Sequence, residues 1–290
     1  MILLPAVSLS ACGSAPKECS SMKGSDLKDS PYISWIGRCE YAEADSCMYT
    51  HYAATGYTVS FTGTQLSVEY RASNTSSPEN RPYFAVAVDG GNIRDGESFC
   101  LTAEEQTVVV AEGLPYGEHT VTVLKRSEPE NSLTSVTGFY TDGVFINAPG
   151  PSGPRFQILG GSGITGHGCL GKSGEAWTTA NSSPFESFGY LVAEHYSAQT
   201  QFVSASGMGL IWSYRNIAPL TEAYNAAGLV AQYDEKGNLR GIEPTQTGWN
   251  HHSWKPDVIL VNIGGNDWNS HVNALSGGAQ QEAEKRFRSE

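Results

Sequence analysis

Positive charge, long apolar runs and paired cysteine motifs are all scarce in this 290-residue chain, and each scarcity excludes something. Lys and Arg number 18 against 30 Asp and Glu, a net charge of −12, so a polyanion would be repelled over most of the surface and no nucleic-acid partner is expected. None of the six cysteines forms a CxxC pair, so zinc is unsupported, and no metal or cofactor is expected. The apolar stretch from Met1 to Cys12 is too short to span a bilayer.

What is present suits a globular chain: 39% hydrophobic and 17% charged residues, with length for two domains. The 32 glycines and 14 tyrosines suggest strands, tight turns and an aromatic surface compatible with sugars, a composition shared by any extracellular β-rich protein. Leu9-Ser10-Ala11-Cys12 resembles a bacterial lipobox, and Gly13 to Pro16 reads as a tether. Residues 1–33 are therefore expected to be a lipoprotein-like signal and tether, with the chain exported and attached to a membrane through lipidated Cys12, or extracellular. After Cys12 five cysteines remain, an odd number, and Cys39 with Cys47 closes the shortest loop if a disulfide forms.

From Ser34 to about Gly143, short alternating runs such as Tyr57–Phe61, Gln65–Tyr70, Tyr83–Val88 and His119–Leu124 are separated by turn residues, which predicts a β-sandwich over 34–146. Pro149, Pro151 and Pro154 then deny both helix and central-strand bonding, so 147–154 reads as a linker. Over 155–290 the rhythm becomes strand, loop, helix, predicting an α/β domain with a parallel sheet covered on both faces. Phe188, Leu191, Val192, His195 and Tyr196 are spaced to line the buried face of one helix, and Pro219–Gly228 predicts another with Gly228 as its stop.

Three apolar runs of this second region end in small polar turns, at Gly160-Gly161-Ser162-Gly163, Ser206-Gly207-Met208-Gly209 and Gly264-Gly265-Asn266-Asp267. Parallel strands would bring these turns to one sheet edge, where α/β proteins place their chemistry. Ser162 then supplies a hydroxyl nucleophile and its own amide, while Gly207 (backbone N–H) and Asn266 (carboxamide) face the oxygen that becomes negative during acyl transfer.

Gly160 to Gly168 resembles the Gly-Asp-Ser-Ile-Thr-x-Gly-Tyr-Gly block of SGNH (GDSL-type) hydrolases, and the turns at Ser206 and Gly264 resemble that family's second and third blocks. Tyr83–Gly91, Gly117–Arg126, Gly138–Gly143 and Trp254–Asp257 are similar to segments of the second carbohydrate esterase family. The resemblance spans about Trp35 to Asn269. It implies a jelly-roll sandwich ahead of an SGNH-type three-layer domain, acting as a serine esterase that removes O-acetyl groups from polysaccharide or oligosaccharide.

Two features depart from that pattern. The residue before the serine is Gly161 where the family has aspartate, and no Asp-x-x-His segment occurs before Glu290 to supply the general base. The SGNH domain is accordingly expected to be incomplete at its C-terminus, with activity lost if no other base serves. His271 is the substitute to test; His195 reads as a packed core residue, His251 and His252 fall at the wrong end of their strand, and His167 replaces a family tyrosine as a substrate-pocket residue. Trp268, with Trp212 and Trp249, is either a sugar-stacking platform or core packing. The rival functions are a non-catalytic carbohydrate-binding protein and an SGNH lipase or thioesterase.

Overall fold

The computed structural model describes residues 19–236 and 239–289, so the lipidation expected at Cys12 lies outside the described residues. The front region forms two antiparallel sheets. One orders β3 (Cys39–Ala42), β4 (Cys47–Thr50), β11 (Thr134–Thr141), β6 (Leu66–Ala72) and β9 (Glu105–Ala111), with β1 (Ser21–Lys23) also on β11. The other orders β12 (Val144–Ile146), β5 (Gly56–Gly63), β10 (Gly117–Lys125), β7 (Tyr83–Val88) and β8 (Glu97–Cys100), with β2 (Ile33–Ile36) on β5.

Alternation along the strands builds the core between these sheets. In β6, Leu66, Val68 and Tyr70 point inward while Ser67 and Glu69 stay half-buried, and in β10 Val121 and Val123 do the same between Thr120 and Thr122. They pack with Tyr57, Val59, Phe61, Val136 and Phe139 in one cluster. The hydroxyls of Tyr57 and Tyr70 hydrogen-bond to each other, so neither phenol is left unsatisfied in that core.

The sandwich starts earlier than its expected boundary at residue 34. β1 pairs with β11, and Met22 together with Leu27 of α1 (Asp26–Asp29) is fully buried, because these apolar side chains fill the end of the core. The Cys39–Cys47 disulfide is not formed: the β3–β4 register sets Cys39 opposite Thr50 and Cys47 opposite Ala42, and both thiols are free.

Residues 147–154 carry no regular structure, as the prolines require. Beyond them β13 (Arg155–Gly160), β14 (Gln199–Ser204) and β17 (Val258–Asn262) form a parallel sheet in the order β14-β13-β17. Gly160 lies opposite both Ser204 and Asn262, so all three strands end level. Around the sheet lie α2 (Ser162–Thr165), α3 (Phe188–His195), α4 (Leu220–Ala223), an antiparallel ribbon of β15 (Leu229–Tyr233) and β16 (Leu239–Pro244), α5 (Gly265–Ser270) and α6 (Gly277–Ser289). No described helix is long and apolar enough to cross a membrane.

Several local expectations are corrected. α3 forms where predicted but turns the opposite face inward: Phe188, Val192, His195 and Tyr196 are exposed, and Gly189 with Ala193 is buried. A Cβ on Gly189 would sit 2.8 Å from Ile158 Cγ2, so the small residues are what allow the helix to lie close on β13. The helix expected over 219–228 is the single turn α4, and Gly228 lies directly before β15, with the His51 ring packed against it. The sheet is well covered over β13 and β14, where Ile158 and Phe202 are fully buried, but not over β17, whose Val258, Ile259 and Val261 are exposed.

The two regions are joined through Arg38, which leaves the β2–β3 turn and is fully buried among second-region groups. Its Nε donates to Gln201 Oε1 at 3.1 Å and its Nη1 to the Tyr224 and Ala226 carbonyls at 2.8 Å each. The guanidinium also packs over the rings of Tyr224 and Trp249, which makes Trp249 a packing residue rather than a sugar platform.

Candidate active site

Ser162 is the first residue of α2, directly past the end of β13, and its exposed side chain makes no hydrogen bond among the described residues. Two glycines set it there. A Cβ on Gly160 would meet Ile164 Cγ1 at 2.7 Å, and Gly166 closes the short helix in a left-handed conformation at φ 67° that returns the chain toward the sheet. The amide of Ser162 belongs to the first helical turn, whose N–H groups lack intrahelical acceptors.

The turn after β14 is held almost group by group. Ser206 N donates to Glu128 Oε2 at 2.6 Å, Met208 N to the Ala205 carbonyl at 3.0 Å and Gly209 N to Ser213 Oγ at 2.9 Å. Leu210, Ile211 and Trp212 then donate to the carboxylate of Asp267, at 2.7, 2.8 and 2.8 Å. Between 206 and 212 the amide of Gly207 is the one left without an acceptor among the described residues. Gly207 has φ 85°, a conformation that side-chain-bearing residues rarely adopt.

The turn after β17 brings in Asn266 at the start of α5. Its Nδ2 donates to the Met208 carbonyl at 2.8 Å and lies 3.0 Å from where a Cβ on Gly161 would stand. A carboxamide carries two N–H bonds, so one remains after the bond to Met208. The residue before Ser162, the turn carrying Gly207, and Asn266 are thus in mutual contact at one end of the sheet. Asp267, fully buried, is the brace behind them. The sequence contained Asp267 in a recognised turn, but nothing there indicated that its carboxylate would gather three amides.

The histidines are placed differently from one another. His167 Nδ1 lies 3.2 Å from Glu128 Oε1 and 3.0 Å from Ser206 Oγ, and its ring stacks on Trp177 at 4.7 Å. His271 stacks on Trp212 at 4.1 Å, His251 on Tyr224 at 4.7 Å, and His195 is exposed rather than packed in the core. Burial and the nearby Arg38 charge lower the His251 pKa. Among the described residues no histidine is hydrogen-bonded to Ser162.

Glu128 and Trp177 went unnoticed in the sequence, since Glu128 belongs to the front region and no motif or spacing ties it to Ser206. With Glu130 and His167, Glu128 forms the group of metal-type ligands found among the described residues, their atoms within 4.8 Å of one another. Ser206 already donates to both Glu128 oxygens, so this carboxylate is engaged in hydrogen bonds. Burial beside Glu128 pushes the Glu130 carboxyl up to about 8, with Arg215 opposing the shift.

Trp268 is half-buried in α5 and meets Phe287 of α6 edge-on at 6.2 Å. Trp212 is occupied by His271 and by the Arg286 guanidinium at 5.1 Å, so its role is packing. A cavity of about 610 Å³ opens near the starts of β13 and β14, lined by Gly37, Asn92, Tyr190, Thr200 and Trp254, and includes none of the residues around Ser162.

Comparison with known proteins agrees with this architecture. Residues 35–149 match the family model "Carbohydrate esterase 2 N-terminal". An acetylxylan esterase/glucomannan deacetylase of Cellvibrio japonicus is 28% identical over 273 residues, 94% of this chain and 71% of that protein. The cellulase/esterase CelE of Acetivibrio thermocellus is 25% identical over 84% of this chain, which spans only 27% of CelE. Among solved structures, a family two carbohydrate esterase from Cellvibrio japonicus superposes with a TM-score of 0.71 at 24% identity, covering 93% of this chain and 83% of that one. One from Clostridium thermocellum in complex with cellohexaose gives 0.71 at 21% identity, covering 89% and 72%. The front region thus matches the N-terminal model of carbohydrate esterase family 2, and the chain over most of its length is similar in sequence to an acetylxylan esterase and shares the fold of family two carbohydrate esterases.

Proposed function

We propose that this chain removes O-acetyl groups from carbohydrate, with Ser162 as the nucleophile and the amides of Ser162 and Gly207 and the free N–H of Asn266 as oxyanion donors. The observation that carries the reading is the single unaccepted amide of Gly207 in a turn where the neighbouring amides are bound, beside a carboxamide with one N–H to spare. Donors fixed before the reaction stabilise the developing oxyanion without reorganising, which is the largest electrostatic contribution in acyl transfer.

In this reaction the Ser162 hydroxyl adds to the acetyl carbonyl, the sugar oxygen leaves with a proton, and water then releases acetate from the acyl-serine. His167 and Trp177 flank the site as a sugar-facing wall, and Trp268 lies along α5 beside Asn266. The front sandwich reads as a jelly roll, and the Leu9–Cys12 pattern as the lipidation signal of an exported protein.

A second reading is a carbohydrate-binding protein without turnover, favoured by the lack of a histidine bonded to Ser162 among the described residues. Acetate release from acetylated xylan and p-nitrophenyl acetate separates the two. Hydrolysis that disappears in Ser162→Ala is the expected result; binding of acetylated xylan with no hydrolysis by the unaltered protein overturns the esterase reading. Faster cleavage of long acyl chains than of acetyl would assign a lipase instead.

A further inference from the structure

The front sandwich and the second region share more than a packing surface. Strand β10 ends at Lys125, and the residues leaving it reach across the boundary. Arg126 donates to the carbonyls of Ala180 and Ser182, at 2.9 Å each through Nη2. Ser182 Oγ in turn accepts the Gly168 amide at 2.9 Å, which holds the chain just after His167. Two residues further on, Glu128 enters the turn that follows β14. Its side chain is fully buried, Oε2 accepts the Ser206 amide at 2.6 Å, and Oε1 accepts the Ser206 hydroxyl at 2.7 Å. The same Ser206 hydroxyl lies 3.2 Å from Thr165 Oγ1, and Thr165 Oγ1 donates to the Ser162 carbonyl at 3.2 Å.

We infer that Glu128, a residue of the front sandwich, is a positioning residue for the oxyanion-binding amide of Gly207. Ser206 immediately precedes Gly207, so the peptide plane that carries the Gly207 N–H begins at the Ser206 carbonyl carbon. Two charge-assisted bonds on one residue restrict both its backbone and its side chain, and such bonds are roughly twice as strong as neutral ones. Asp267 fixes the far end of the turn through Leu210, Ile211 and Trp212, leaving Glu128 to fix the near end. The Gly207 amide is held between these two buried carboxylates with its N–H unused. Glu128 makes no hydrogen bond to Ser162 and acts only through Ser206. The front domain thereby becomes part of the hydrolytic site, and the inference rests on the esterase reading of Ser162.

The test compares the unaltered protein with Glu128→Gln and Glu128→Asp. Glutamine keeps the shape but presents an N–H₂ group to a turn that offers donors, and aspartate keeps the charge but withdraws it by one methylene. Hydrolysis of p-nitrophenyl acetate is expected to fall about 10- to 100-fold in kcat with KM within about twofold, the signature of a misplaced oxyanion donor. Amide hydrogen exchange is read on the same proteins, with faster exchange expected at Ser206 in both variants and unchanged exchange in β5 and β10. Should Glu128→Gln fail to fold, Glu128→Asp is read alone for the same two quantities. An unchanged kcat, or a rise in KM alone, overturns the inference. If the unaltered protein does not hydrolyse any acetyl ester, the esterase reading fails by itself, and exchange decides the positioning role: no change at Ser206 overturns that too.

Discussion

Asn266 donates one side-chain N–H to the Met208 carbonyl at 2.8 Å, which ties the turn after β17 to the turn after β14 and orients the remaining N–H of the carboxamide. Asn266→Asp replaces that donor with lone pairs facing a carbonyl and a developing oxyanion. The expected result is a kcat about 100-fold lower or more on acetylated xylan. Steady-state kinetics beside a thermal melt checks it, and an activity within about twofold of the unaltered protein would remove Asn266 from the oxyanion site.

Asp267 is the acceptor for three consecutive amides, and each of these bonds involves a buried charge. Asp267→Asn keeps one acceptor oxygen and sets an N–H₂ group against an amide donor. Stability is expected to drop by about 2–4 kcal/mol, since buried amides left without acceptors cost about 1–3 kcal/mol each. Urea unfolding of the two proteins measures the difference.

Arg38 carries its charge in the boundary between the two regions, where burial pulls its pKa down to about 10. Arg38→Met leaves the Tyr224 and Ala226 carbonyls without their donor, and a loss of about 3 kcal/mol is expected. Loosening of the boundary also predicts faster cleavage by a low-specificity protease within 147–154. A cleavage rate matching that of the unaltered protein would show that Arg38 does not hold the regions together.

Glu130 gives a stability difference that depends on pH. Its folded-state pKa, raised to about 8 by burial and by Glu128, exceeds the ordinary value of 4.5, so between these values the folded state holds a proton that the unfolded state releases. Stability contributed at this position is therefore complete below about 4.5 and lost as the pH climbs through about 8. Glu130→Gln does not titrate, so its melting temperature relative to the unaltered protein should rise between pH 5 and pH 8.5. An equal difference at both values would contradict the raised pKa.

How far the fold could be read in advance depends on whether the signal was local. β13, β14 and β17 were legible because each is a short apolar run ending in glycines, and a strand end followed by a tight turn is encoded within a few residues. α3 was legible as a helix but not in orientation, because Phe188 and Val192 satisfy the same spacing as Gly189 and Ala193. Close approach to Ile158 decided in favour of the small residues. Pro219–Gly228 had helical composition, yet only Leu220–Ala223 is helical; beyond it the Tyr224 and Ala226 carbonyls accept from Arg38.

By itself the amino-acid order determined the alternating strands, the proline break at 149–154 and the three turns that carry Ser162, Gly207 and Asn266, because alternation, ring constraint and glycine conformation act over neighbouring residues. Only the tertiary structure decided that Glu128 meets Ser206, 78 positions away, that Asp267 gathers the amides of 210–212, and that His271 lies against Trp212. Those contacts depend on how two separately patterned regions pack, and a buried carboxylate finds its donors in space rather than along the chain.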